Sequence, residues 1–307
     1  MKRYGDIPGD GGSNIALQVA AQQARLVERL GAVRIVLAVL SGKGGVVKSA
    51  ITANVAAALA ADGWRVGALD ADLNGPSLAK MLGVRGAKLT FVDDGVEPPT
   101  SAGGVRVMSM DLLLPSDDAP LRWNAPTAAE SHTWRGSMEA NALREFIADK
   151  RWGALDLLLL DLPPGTDRLA VVTSLLPRLD GAIVVTIASD VSQLVVRRSI
   201  TAARDANARV LGLVENMAGL FPGPDAATLA TEAGIALLGR VPFDAALAAA
   251  ADDGEAYVVS APRKSAAIAL IDIARRVRSA LETTAGDRGA PSVGGARGAM
   301  SGAPTSE

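Results

Sequence analysis

The chain has 307 residues, of which 49% are hydrophobic and only 3% aromatic, and its formal net charge is −2. That length suits one large α/β domain or two small ones, with aliphatic side chains and alanines filling the core. Balanced charge gives no case for nucleic acid or an anionic membrane, and with no cysteine and one histidine, His132, the chain itself supplies no disulfide, thiolate-ligated cluster or multi-histidine metal site.

Residues 1–13 are polar and glycine-rich and read as a loose arm. The first six, Met1-Lys2-Arg3-Tyr4-Gly5-Asp6, lack the apolar stretch of a signal peptide. No run of roughly 18 apolar residues exists, so a cytoplasmic chain without a membrane span is expected. Residues 14–31 predict a helix, with Ile15, Val19, Leu26 and Leu30 as its apolar face. Val33 to Leu40 is a short apolar run closed by a glycine-rich turn, the pattern of a buried parallel strand. An alanine-rich helix over 48–62 follows, ending at Asp62-Gly63.

The alternation then repeats. Strands are expected at 65–69, 105–110, 155–160, 182–187, 209–214 and 237–241, and helices at 138–150, 167–178, 190–206, 225–234 and 263–282. Residues 112–132, rich in Pro and Asp, read as an irregular insertion. The tail from about 284 is rich in Gly, Ala, Ser and Pro, a composition that cannot sustain a core. The expected organisation is therefore an arm and helix at 1–31, one domain at 32–283, and a disordered tail at 284–307. Strands alternating with helices predict an α/β fold, a doubly wound and mostly parallel sheet with helices on both faces. Ligands of such sheets bind beyond the carboxyl ends of the strands, where Gly42, Asp70, Asp161 and Asn216 fall.

The first strand runs into Gly42-Lys43-Gly44-Gly45-Val46-Val47-Lys48-Ser49, followed by Ala50. A glycine, four residues and then Gly-Lys-Ser/Thr make a phosphate loop, whose backbone N–H groups converge on phosphate oxygens at a helix N-terminus. Lys48 matches the lysine that meets the β- and γ-phosphates, and Ser49 the hydroxyl that helps hold Mg²⁺. One position departs from the pattern. Val47 stands where glycine is expected, and a β-branched residue resists the conformations that glycine adopts there.

Lys43-Gly44-Gly45 ahead of Lys48-Ser49 resembles the deviant Walker A motif of the MinD/ParA class, and within it the Mrp/NBP35 (ApbC) family of ATP-dependent iron–sulfur cluster carriers. Further blocks carry the resemblance across roughly residues 32–275: Asp70-Ala71-Asp72-Leu73-Asn74-Gly75-Pro76-Ser77, Trp134-Arg135-Gly136, Asp161-Leu162-Pro163-Pro164-Gly165-Thr166, Gly212-Leu213-Val214-Glu215-Asn216-Met217 and Leu238-Gly239-Arg240-Val241-Pro242. The resemblance implies a Mg-ATP-binding homodimer with ATPase activity. Lys43 would reach the partner's nucleotide, Asp72 would orient the attacking water, and Lys48 would act on the phosphates. Gly42, Gly44, Gly45, Val46, Val47, Lys48, Ser49 and Ala50 would cradle the phosphates, with Asn216 and Pro242 at the base. Ser49 and Asp161 would serve Mg²⁺, and Gly165 would sense the γ-phosphate.

The same comparison marks three departures. Family members carry a Cys-x-x-Cys pair after the Glu-Asn-Met block, and here the stretch is Ala218-Gly219-Leu220-Phe221-Pro222-Gly223-Pro224. Ala50 replaces a second hydroxyl, and Pro164-Gly165-Thr166-Asp167 is one glycine short. These changes predict slow turnover, and cluster work only with a cysteine-containing partner. A non-catalytic nucleotide-binding scaffold and a ParA/MinD-like positioning ATPase remain as alternatives. The tail argues against a membrane anchor of the MinD type, and no basic cluster favours nucleic acid.

Overall fold

The computed structural model describes residues 15–93, 95–114, 142–148, 150–166 and 168–288. In chain order they form α1 (Ile15–Gly31), β1 (Val36–Ser41), α2 (Lys48–Ala61), β2 (Val66–Asp70), α3 (Leu78–Met81), β3 (Thr90–Val92), β4 (Gly95–Glu97), β5 (Arg106–Met108), a 3-10 turn (Met110–Leu113), α4 (142–148) and β6 (Leu157–Asp161). Then come α5 (Arg168–Leu175), β7 (Gly181–Thr186), α6 (Asp190–Asp205), β8 (Val210–Ala218), α7 (Ala226–Glu232), β9 (Leu237–Pro242), α8 (Ala245–Asp252), α9 (Tyr257–Ser260) and α10 (Ser265–Arg288).

The short apolar runs become strands because both of their faces can be covered. β1, β2, β6 and β7 are buried at every residue. Alternate side chains of β1 serve opposite layers. Leu37 and Val39 join the core beneath α2 and α10, while Val36, Ala38 and Leu40 join the core shared with α1, α4, α5 and α6. Leu26 and Leu30 place α1 in that second core, continuous with the rest.

The main sheet has seven strands in the order β5-β2-β6-β1-β7-β8-β9, and every pairing in it is parallel. β3 and β4 form a separate antiparallel hairpin. After β1 the chain moves to β2 on one side, and after β6 it crosses to β7 on the other. The carboxyl end of β1 therefore lies at the switch point, where an open parallel sheet leaves a crevice.

Several boundaries differ from the sequence expectation, and three of them are instructive. β8 extends to Ala218 and takes in Glu215, Asn216 and Met217, helped by a register shift against β9 between Glu215 and Ala218. The strand expected at 105–110 is only Arg106–Met108, because Met110 opens a 3-10 turn capped by the Ser109 hydroxyl. α10 continues to Arg288, five residues past the expected end of the domain at 283. The arm at 1–13, most of the insertion, His132, Trp134, Arg135 and Asp167 lie outside the described residues. No helix among the described residues is long and apolar enough to cross a membrane.

Candidate functional site

The loop between β1 and α2 is shaped by its glycines. A Cβ on Gly42 would stand 2.8 Å from the Val195 backbone carbon of α6, so only glycine lets the loop pass there. Gly45 has φ 82°, in the left-handed region that glycine enters without strain. Val47 occupies the same region, at φ 56° and ψ 42°, as the residue capping the start of α2. The sequence marked this position as unfit for valine, and the backbone demands what the sequence argument expected glycine to supply. A left-handed conformation costs a non-glycine residue about 1–2 kcal/mol, and a β-branched one is an outlier there.

Behind the loop lies a dense polar cluster. Lys48 Nζ donates to Asp161 Oδ1 at 2.5 Å, with 6% and 0% of the two side chains exposed. Ser49 Oγ donates to Asp161 Oδ2 at 2.6 Å, and Thr52 Oγ1 to Oδ1 at 2.7 Å. One carboxylate at the end of β6 thus gathers three donors from the first turns of α2. Burying an unpaired carboxylate would cost several kcal/mol, and here the charge is balanced by Lys48 and its oxygens are hydrogen-bonded. Thr52 was not singled out from the sequence. Its signal was the i, i+4 spacing from Lys48, which sets both on one helix face.

Asp70 at the end of β2 is the register partner of Asp161. Its Oδ2 accepts from Ser77 N at 2.7 Å, Leu78 N at 2.9 Å and Ser109 Oγ at 3.2 Å, which fixes the segment that leads into α3. Burial, and then the negative charge of Asp161, push the Asp70 carboxyl up to about 7. The backbone donors and Lys48 oppose that rise without cancelling it. Asp72 is half-buried two residues on, and its Oδ1 accepts from Gly75 N in a local turn at 3.2 Å.

Other residues named from the sequence gather at the same edge. Gly165 N donates to Ser41 O at 3.2 Å, which ties the segment after β6 to the phosphate loop. Gly44 faces that segment, with Pro164 in van der Waals reach of a Cβ built there. Ala50 is buried in the first turn of α2. Pro242 ends β9 beside Ala218. Lys43 is half-buried and has no hydrogen-bond or ion-pair partner among the described residues. Asn216, which the resemblance assigns to the base, makes its hydrogen bond here to the phosphate loop. Its amide donates to Val46 O at 2.9 Å, and the residue is 2% exposed, so this side chain holds the phosphate loop against β8.

Glu215 was quoted only as part of a motif, and the structure gives it a part in holding the loop after β8. Its buried carboxylate lies 3.4 Å from Arg240 Nε and accepts from Ala226 N at 3.3 Å, and Arg240 also pairs with Asp225. This network anchors the 218–225 loop and the start of α7.

A glycine-shaped loop at the switch point of a parallel sheet, leading into a helix whose first lysine is buried against an acidic strand end, defines a P-loop NTPase. A family model described as ParA, NUBPL iron-transfer P-loop NTPase, matches residues 32–278. An iron–sulfur cluster carrier protein of Saccharolobus solfataricus is 38% identical over 278 residues, covering 87% of this chain and 90% of the relative. The cytosolic Fe-S cluster assembly factor NUBP2 of Bos taurus is also 38% identical, over 84% of this chain and 96% of its own length. Among solved structures, a nucleotide-binding protein of Archaeoglobus fulgidus in complex with ADP aligns with TM-score 0.65 and 33% identity, covering 79% of this chain and 94% of that one. The chain belongs to the ParA/NUBPL iron-transfer family of P-loop NTPases.

Proposed function

We propose that this chain is a Mg-ATP-binding homodimer of the Mrp/NBP35 type, working in the cytoplasm, that hydrolyses ATP slowly and uses the cycle as a conformational switch. The observation that carries this reading is the Lys48–Asp161–Ser49–Thr52 cluster behind the glycine loop. Lys48 waits on an internal counter-ion. A nucleotide would offer phosphate oxygens at the N-terminus of α2, where converging N–H groups and the helix dipole favour anions. Lys48 would then meet the β- and γ-phosphates. Ser49 and Asp161 are the residues suited to hold Mg²⁺, whose charge would neutralise phosphate oxygens. Asp72 would orient water, Lys43 would serve the partner's nucleotide, and Gly165, bonded to Ser41 O, links the γ-phosphate position to the segment after β6. Asn216 acts on the nucleotide through the loop it holds.

Val47 supports slow turnover. Its left-handed backbone is strained, and its side chain is 43% exposed beside the loop. An iron–sulfur cluster does not fit this chain, because residues 218–224 and the rest of the sequence hold no thiolate. Any cluster work would draw its cysteines from a partner protein.

The test is calorimetric binding of Mg-ATP to the parent, to Lys48→Ala and to Ser49→Ala. Lys48→Ala should lose binding. Should it bind as tightly as the parent, the site assignment is wrong. Because removing Lys48 leaves Asp161 buried without its counter-ion, at a cost of about 3–5 kcal/mol, Ser49→Ala is the gentler control and should weaken Mg²⁺ dependence while folding normally.

Val47 also favours a second reading, a nucleotide-binding scaffold without turnover. No Mg-dependent phosphate release from the parent, with release gained in Val47→Gly, would select it.

A further inference from the structure

A cavity of about 400 Å³ lies where α2, α3, the turn before β5 and the α8–α9 segment meet, a volume that suits a small molecule. It reaches α2 at Ala57, which lies about 14 Å along the helix from Lys48 at a rise of 1.5 Å per residue. Its walls are set by backbone, not by side chains that could collapse into it. Gly83 and Gly254 have left-handed φ values of 68° and 78°, and a Cβ on Gly83 would stand 2.6 Å from Gly254 O. Only glycines let the end of α3 cross the α8–α9 turn so closely. In the turn before β5, Ser101 N donates to Val105 O at 2.8 Å, Gly104 N to Ser101 O at 2.9 Å, and Val105 N to the Ser101 hydroxyl at 3.1 Å. Asn54 fastens α9 to α2: its Oδ1 accepts from Val258 N at 3.0 Å while its amide donates to Ala50 O at 2.9 Å.

The lining divides by chemistry. Ala57, Leu82, Ala256 and Val259 are apolar, and Ser101, Glu255 and Ser260 are polar. Ala57 and Leu82 are buried, whereas Glu255, Val259 and Ser260 are exposed at the mouth. The Glu255 carboxylate and the Ser260 hydroxyl have no hydrogen-bond or ion-pair partner among the described residues. The Ser101 hydroxyl accepts from Val105 N and keeps one lone pair and its own proton for a ligand. Charge at the mouth is negative. Asp252, Asp253 and Glu255 stand within one turn of chain, and Lys80 lies 3.7 Å from Asp252 alone. α8 also ends there, at Asp252, and the carboxyl end of a helix favours a cation.

We infer that this cavity is a binding site for a small organic amine, with its ammonium at Glu255 and the serine hydroxyls and its apolar body against Ala57, Leu82 and Val259. The site is separate from the phosphate loop and does not depend on the nucleotide reading given above. An ammonium carries three donors and no acceptor, which matches a carboxylate and two hydroxyl oxygens. An anionic ligand would meet Glu255 and its two neighbouring aspartates as like charges. A neutral ligand of the same shape keeps the apolar contact and loses the charge pairing.

Methyl NMR of the full chain labelled at Ala, Leu and Val, titrated at pH 7 with 2-phenylethylamine, 2-phenylethanol and phenylacetate, tests this. The amine should give saturable shifts at Ala57, Leu82, Ala256 and Val259, the alcohol should bind about fivefold more weakly, and phenylacetate should give none. Glu255→Gln should weaken amine binding about fivefold and leave the alcohol as in the parent. Ala102→Trp, at an exposed lining position, should fill the mouth and abolish binding of both. Methyl resonances of the main-sheet core should stay in place in both variants, so that lost binding reports the cavity and not the fold. Absence of saturable shifts at the four lining residues overturns the inference. So does phenylacetate binding as tightly as the amine, or Glu255→Gln keeping the parent's affinity for the amine. Shifts centred on residues 42–49 would place the amine at the phosphate loop and overturn it as well.

Discussion

Val47 and Asp70 show how single residues in this site bear energies that their neighbours determine. Val47 gives up about 1–2 kcal/mol to its left-handed backbone. Glycine would relieve that strain but would add about 0.5–1 kcal/mol of unfolded-state entropy. Val47→Gly should therefore stabilise the fold by about 0.5–1 kcal/mol, read as a higher denaturation midpoint with an unchanged slope, and should raise Mg-dependent phosphate release. Asp70 governs pH dependence. Its folded pKa, about 7, lies above its ordinary 3.8, so the fold keeps a proton that the unfolded chain has released. Stability from the neutral carboxyl is complete below the ordinary value and is lost as pH rises through about 7, with a slope of at most about 1.4 kcal/mol per pH unit. Denaturation from pH 4 to 8 should show the parent losing stability relative to Asp70→Asn over that window. A constant difference would place the charge elsewhere. The strain at Val47 was legible in the sequence because the motif specifies the position. The raised Asp70 carboxyl was not, since it depends first on burial and then on Asp161, 91 residues away in the chain but adjacent in the sheet.

At the scale of elements, the alternation of apolar runs and helical segments was readable because both periods follow from local geometry. Element ends were less so. β8 runs past its apolar stretch into Glu215 and Asn216 because these polar groups find buried partners, Ala226 N and Arg240 for one and the Val46 carbonyl for the other. Polar residues read as a turn until their partners are known. The network predicts that Glu215→Ala orphans Ala226 N and loosens the loop after β8, with a loss of about 1–3 kcal/mol. Hydrogen exchange should then quicken first in residues 219–230. Exchange rising uniformly across the molecule would show instead that Glu215 supports the whole sheet.

At the scale of the molecule, two apolar layers on either side of one parallel sheet hold a nucleotide site at its switch point. A ligand that binds only the folded state stabilises it by about 2.7 kcal/mol at a hundredfold excess over its dissociation constant. Mg-ATP at that excess should raise Tm of the parent by roughly 5–10 °C, and should leave Lys48→Ala unmoved.

The phosphate loop with Lys48, Ser49 and the misfit Val47, the strand–helix alternation and the absence of thiolates were all fixed by local residue order. They depend on spacing, backbone preference and side-chain chemistry, none of which requires distant contacts. Only the tertiary structure decided that Lys48 and Thr52 converge on Asp161, that Asn216 holds the loop, that burial raises the Asp70 carboxyl, and that the loop after β8 carries Leu220 and Phe221 outward. Those outcomes arise where strands distant in sequence become neighbours. There burial and charge act across a few ångströms, and the partner of each polar group is set by the order of strands in the sheet.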